Sequence, residues 1–169
     1  MGFKKTSGIV AVSFGIEEAV VDTAVEEQVA LQLDILNQEI FVVLAIDLDP
    51  QAPSQVNGVS TQTQMSLCSS TQTEPQLLSN TNCLAEERLN IHSDAANVGT
   101  GAVFRQSNGS TPPATMDYIG IIATNDFFVQ LKGNNNTSTR SGTGRLWGYR
   151  AKADSATYAA LVQSEVLSA

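Results

Sequence analysis

Residues 27–50 read EQVALQLDILNQEIFVVLAIDLDP, the longest apolar-rich stretch of the chain, and its apolar positions recur in twos. Val29, Leu31, Leu33 and Ile35 fall on one face, with Ala30, Gln32 and Asp34 on the other. After Asn37-Gln38 the alternation resumes through Ile40, Val42, Leu44, Ile46 and Leu48, opposite Phe41, Val43, Ala45, Asp47 and Asp49. Successive side chains of a strand point to opposite faces, so this spacing predicts two long strands. A short turn at Asn37-Gln38 makes them a hairpin. The second strand is apolar on both faces as far as Asp47, which predicts a central place in its sheet. Pro50 ends it, because proline lacks the N–H that a ladder needs.

The same pattern extends along the chain. Residues 8–16 read as a strand, and the acidic EEAVVDTAVEE after it as a helical turn or a loop. Residues 51–82, rich in Gln, Ser, Thr, Asn and Pro, form a long excursion with one strand at Met65-Ser66-Leu67-Cys68. In CLAEERLNIHS, Leu84, Arg88 and Ile91 suit a helix and Leu89 and Ile91 a strand end, and its strand neighbours favour a strand. GAVFRQS is a short strand running into an Asn108-Gly109 turn and a Pro112-Pro113 loop. Residues 118–132 predict a second hairpin around Thr124-Asn125-Asp126. GNNNTSTRSGTG is a polar loop, and RLWGYRAK a final strand. Asp154 caps a short C-terminal helix in which Tyr158, Leu161, Val162 and Val166 recur at helical spacing. The expected fold is all-β: an antiparallel two-sheet sandwich, a single jelly roll with a short C-terminal helix. Residues 1–169 make one domain, without an internal repeat.

Composition narrows the function. The chain is 42% hydrophobic but only 15% charged, so hydroxyls and amides carry its polarity. Up to Glu87 there are two basic and twelve acidic residues, net −10; from Arg88 onward seven and five, net +2. An acidic chain without a Lys/Arg cluster predicts no direct nucleic-acid partner, since phosphate neutralisation requires one. No apolar run reaches the length of a membrane-spanning helix. The opening MGFKKTSGIVAVSFG alternates and is followed by Glu17-Glu18, so it reads as a first strand rather than a leader.

Candidate chemistry is sparse. One histidine, His92, and two cysteines supply neither a zinc set nor a nucleophile motif, so no catalytic residue, cofactor or metal is expected. Cys68 and Cys83 either close a disulfide around the polar excursion or remain small buried thiols. Asp47 and Asp49 share a face at a strand end; they suit a solvent-facing exit from the core, with calcium ligation as the alternative. Arg145, Trp147, Tyr149 and Ala151 share one strand face, a candidate interface or ligand surface, because aromatics beside arginine stack on sugars and anchor protein contacts. The acceptor patterns at Asn108, Asn135 and Asn136 mark exposed loops.

The strand EIFVVLAIDLDP, the polar mid-chain excursion, YIGIIATNDFFVQLKG and GRLWGYRAK with its short tail together resemble the single-jelly-roll capsid proteins of tailless icosahedral viruses. That resemblance implies a non-enzymatic, self-assembling shell subunit located in the virion. Its partners would be copies of itself and other capsid subunits, in families that include viruses with a membrane beneath the shell. No residue matches a functional residue of the family one to one. The alternative is a secreted or cell-surface β-sandwich that binds carbohydrate or protein.

Overall fold

The computed structural model describes residues 2–96, 101–107 and 116–168. The turn at Asn108-Gly109, with its glycosylation pattern, and the loop 111–114 lie outside them. Among the described residues ten strands form two antiparallel sheets. In the first, β1 (Phe3–Lys5) and β2 (Val10–Glu17) lie end to end along β10 (Ser141–Ala153). β10 pairs with β4 (Glu39–Pro50), and β4 with β8 (Gly120–Ile122). The second sheet runs β3 (Val25–Ala30), β9 (Asp126–Asn134), β5 (Thr61–Cys68), β6 (Cys83–Ser93), β7 (Gly101–Ser107). Apart from β5–β6–β7 and the end-to-end β1 and β2, consecutive strands lie in opposite sheets, which is the jelly-roll connectivity.

This connectivity corrects both expected hairpins. β3 and β4 belong to different sheets, and so do β8 and β9. Alternation tells which face of a strand is buried; it does not tell which strand lies beside it. What turns the chain across the sandwich is corner chemistry. Between β3 and β4, Leu31 and Leu33 are buried while Gln32 and Gln38 take left-handed φ of 54° and 57°. A 3-10 turn at Ile35–Asn37 is capped by the Asp34 carboxylate. The Leu31 N–H donates to the Asn125 carbonyl at 2.8 Å, and the Leu33 N–H to Asn125 Oδ1 at 2.6 Å. The β3–β4 and β8–β9 corners are thereby bonded to each other.

The core fills the space between the sheets with Phe41, Val43, Ile46 and Leu48 of β4, Met65 and Leu67 of β5, Phe127, Val129 and Leu131 of β9, and Leu146 of β10. Phe14 meets Phe127 edge-on at 5.5 Å. The β4 set breaks the expected alternation. Trp147 opposes Ala45 but Gly148 opposes Val43, so Leu44 is an extra residue, a β-bulge. Before the bulge Phe41 and Val43 face inward; after it Ile46 and Leu48 do. Ile40 and Val42 therefore point outward, where α1 (Ser155–Leu167) covers them with Tyr158, Leu161 and Val162.

The helix departs from its expected face at one position. Val166 is 61% exposed, and Glu165 is buried instead. Its carboxylate accepts from the Ala123 N–H at 2.7 Å and the Thr124 N–H at 3.1 Å, and the Asn82 amide donates to its carbonyl at 3.1 Å. The excursion 51–82 packs too. Thr71 and the Gln72 N–H both donate to the Glu26 carboxylate at 2.6 Å, Gln130 donates to it at 2.8 Å, and Ser66 links Gln130 to the Gln76 N–H. At the opposite end the buried Glu18 carboxylate accepts from Gly133 N–H at 2.6 Å and Arg140 N–H at 2.8 Å. Asn136, expected on an exposed loop, is buried there: its Oδ1 accepts from Ser54 N–H at 2.7 Å. Asn135 is exposed as expected.

Two predictions follow from this packing. A Cβ on Gly148 would lie 2.3 Å from both the Phe41 ring and the Val42 carbonyl, whereas at Gly8 it would meet open space. Gly148→Ala should lower unfolding free energy by about 1–3 kcal/mol in urea titration. Gly8→Ala should change it by less than about 0.5 kcal/mol.

Burial raises the Glu165 pKa, against the opposing hydrogen bonds from Ala123 and Thr124. The folded state then holds this proton more tightly than the unfolded chain. Its contribution to stability is complete below the ordinary carboxylate value and is lost as pH rises through the folded-state value. Glu165→Ala should abolish that decline and orphan two N–H groups, lowering stability by about 1–3 kcal/mol. Melting curves of both proteins over roughly pH 3–7 test the sign.

Candidate functional site

The outer face of the first sheet is divided at the bulge. On the far side from α1, β10 brings Thr143, Arg145 and Trp147 outward, and β4 brings Asp47 and Asp49 beside them. Arg145 opposes Asp47 on one flank and Ser13 of β2 on the other, and Thr143 opposes Asp49. These side chains line an open groove of about 370 Å³. Arg145 Nε donates to Ser13 Oγ at 3.2 Å, and its guanidinium lies 5.8 Å from the centroid of the half-buried Trp147 ring. Asp47 and Asp49 are exposed.

The structure thus joins two groups that the sequence placed separately, the Asp47/Asp49 pair and the Arg145/Trp147 pair. It separates Tyr149 from them. Tyr149 packs at the rim of the helix-covered cluster, with Lys5 Nζ 4.6 Å over its ring. Among the described residues no three His, Cys, Asp or Glu side chains come together in a way that could hold a metal ion.

A neighbouring charged cluster was not legible in the sequence. Arg105 of β7 forms an ion pair with the buried Glu87 of β6 and donates to the Leu48 carbonyl at 3.3 Å. Burial pushes the Glu87 pKa up; Arg105 opposes this, and the charges of Asp47 and Asp49 add to it. The Glu87–Arg105 contact joins the second sheet to β4 beside the groove. Finding it requires the β6–β7 register, which no local motif announces. His92 sits elsewhere, exposed, with Nδ1 3.2 Å from Ser60 Oγ and its ring tilted against Phe104.

Trp147 is the sole tryptophan, so its fluorescence reports on the groove. Arg145→Ala should increase acrylamide quenching of the emission, because a covering group is removed. Its effect on stability should stay below about 1 kcal/mol, as the cation–π contact is partly solvated.

No family model and no curated protein matches the sequence. Solved structures do. The VP1 protein of chimpanzee polyomavirus aligns over 89% of this chain and 99% of its own, at 6% identity and a TM-score of 0.42. The Cocksfoot mottle virus structure aligns over 95% and 88%, at 10% identity and 0.38. That of Desmodium yellow mottle tymovirus aligns over 88% and 90%, at 10% identity and 0.30. These are jelly-roll viral capsid proteins, the class that the sequence resembles. At such identities and TM-scores they transfer no functional residue. The fold assignment stands on the strand order of the chain itself: this is an all-β, two-sheet jelly roll with one C-terminal helix.

Proposed function

We propose that the chain is a non-enzymatic structural subunit that assembles with copies of itself into a viral capsid shell. The observation that carries this reading is β7. Among the described residues no strand lies beyond it in the second sheet. Val103 and Phe104, on opposite faces of the strand, are 71% and 46% exposed. Its sequence, GAVFRQS, contains no lysine or proline to deter pairing. Such an edge is a liability in a protein that stays alone, and in a shell a neighbouring copy covers it. The uneven charge, −10 up to Glu87 and +2 beyond, supplies opposite fields with which copies can orient. Self-contact rather than nucleic-acid contact suits a chain this poor in Lys and Arg.

A second reading has its own support. A half-buried tryptophan beside arginine, with two carboxylates and the hydroxyls of Ser13 and Thr143, is a surface on which a sugar ring could stack and hydrogen-bond. It favours a surface module that binds carbohydrate through Arg145, Trp147, Asp47 and Asp49.

Light scattering and electron microscopy of the purified protein separate the two. Assembly predicts regular particles, and Val103→Lys with Phe104→Lys should leave a folded monomer with an unchanged circular-dichroism spectrum. A wild-type protein that stays monomeric over a broad range of concentration and salt would overturn the shell reading. Trp147-dependent retention on a glycan array would then favour the binding module.

A further inference from the structure

We infer that Cys68 and Cys83 are an oxidation site: a cross-strand pair that forms a disulfide and covalently closes the loop 69–82 over the outer face of the second sheet. Cys68 is the last residue of β5 and Cys83 the first of β6, and the register sets them opposite each other. Leu67 opposes Ala85 and Cys68 opposes Cys83, so Leu84 is an extra residue and the pair sits at a β-bulge. Paired residues of antiparallel strands still come within the roughly 4.4–6.8 Å between Cα atoms that a disulfide spans. Both thiols are free, at 0% and 7% exposure.

The neck of the loop is drawn shut beside them. Ser69 N–H donates to the Asn82 carbonyl at 2.9 Å, and the Asn82 amide to Ser70 Oγ at 2.7 Å. Folding therefore brings the sulfurs together before any covalent chemistry occurs. The closeness of the two thiols raises the Cys68 pKa together with burial and lowers that of Cys83, whose S–H donates to the Ala85 carbonyl at 3.4 Å. Cys83 is the more accessible of the two and the one whose pKa is lowered, so it is the first nucleophile.

The co-reactant is a low-molecular-weight disulfide. Cys83 gives its proton to solvent and attacks one sulfur of that disulfide. The small S–S bond breaks, one small thiolate leaves, and a mixed disulfide stands on Cys83. With the Cys83 charge gone, Cys68 loses its proton and attacks the Cys83 sulfur, expelling the second small thiolate. Two protein thiols and one disulfide become one protein disulfide and two small thiols. Two electrons pass from the protein to the oxidant.

The test uses the wild-type chain, folded and also refolded from denaturant, in buffers of oxidised or reduced glutathione. Intact mass should show the loss of two hydrogens without a glutathione adduct. Pepsin, at an acidity that suppresses disulfide exchange, cuts at Leu77-Leu78 between the two cysteines, and the Cys68 and Cys83 fragments should separate only on reduction. The oxidised form should melt higher by roughly 5–10 °C, as expected for a closed ring of this size. Cys68→Ser should show no such rise and should carry a glutathione adduct. Two titratable thiols after refolding in oxidised glutathione, adducts on both cysteines, or disulfides between molecules would each overturn the assignment. The mass measurement on wild type decides even if the variant fails to fold.

Discussion

The pairing of β4 with β10, and the single extra residue it accommodates at Leu44, determines how this sandwich uses its surfaces. A strand of strict alternation would present one face inward along its whole length. The bulge instead exchanges the faces midway. It keeps Phe41, Val43, Ile46 and Leu48 in one core although they do not share a parity. On the outer side it puts the apolar Ile40 and Val42 at one end and the charged Asp47 and Asp49 at the other. The helix covers the first of these and leaves the second open. On β10, with no extra residue, Arg145, Trp147 and Tyr149 stay on one face but end up in different surroundings. The first two line the groove, and Tyr149 packs beside the helix-covered cluster.

Few ion pairs bind this fold together. Three carboxylates are held mainly by backbone N–H groups and by amide or hydroxyl donors: Glu18 between two corners, Glu26 beneath the loop 69–82, and Glu165 at the β8–β9 corner. Glu18 and Glu165 satisfy donors that a corner between sheets would otherwise leave bare, since such a corner belongs to neither ladder, and Glu26 does the same for a long loop within one sheet. This explains how a chain with 15% charged residues retains order at its corners. These three carboxylates are spent on backbone and neutral side-chain donors rather than on surface pairs of small worth.

That division also sets what could be read from sequence. Faces were legible, because burial leaves a period of two: β2, β5, β9 and β10 lie where alternation put them, β6 was read as a strand only from its neighbours, and the jelly roll follows from their number and spacing. Partners were not. The stretch from Glu27 to Pro50 reads locally as a hairpin, yet left-handed Gln32 and Gln38, buried Leu31 and Leu33, and the reach of Asn125 from a distant corner send its halves to opposite sheets. The bulge was invisible for a related reason. Every residue from Ile40 to Ile46 is apolar, so a change of parity leaves no mark. At Glu165 the helical period pointed to Val166, because a carboxylate in an apolar neighbourhood is chosen by its N–H donors, not by hydropathy. Of the groove, the sequence supplied Asp47, Asp49, Arg145 and Trp147; only the register showed that they face one another.

The distribution of covers gives the surfaces different meanings. The helix closes part of one outer face and the loop 69–82 part of the other, each ending in a polar latch. Both covers are built from this chain's own residues, so neither face needs a second molecule to remain stable there. β7 has no such cover among the described residues, and it is apolar on both sides. The helix covers the apolar Ile40 and Val42 and the loop covers the polar Ser66 and Gln130, while the β7 edge is one place where stability is still to be gained by contact. The groove is the converse case: charged, wet and stable as it stands, it gains nothing from burial unless the occupant brings hydrogen-bonding groups of its own. The edge therefore suits another copy of the chain, whose strand can satisfy backbone groups, and the groove suits a hydroxyl-rich ligand.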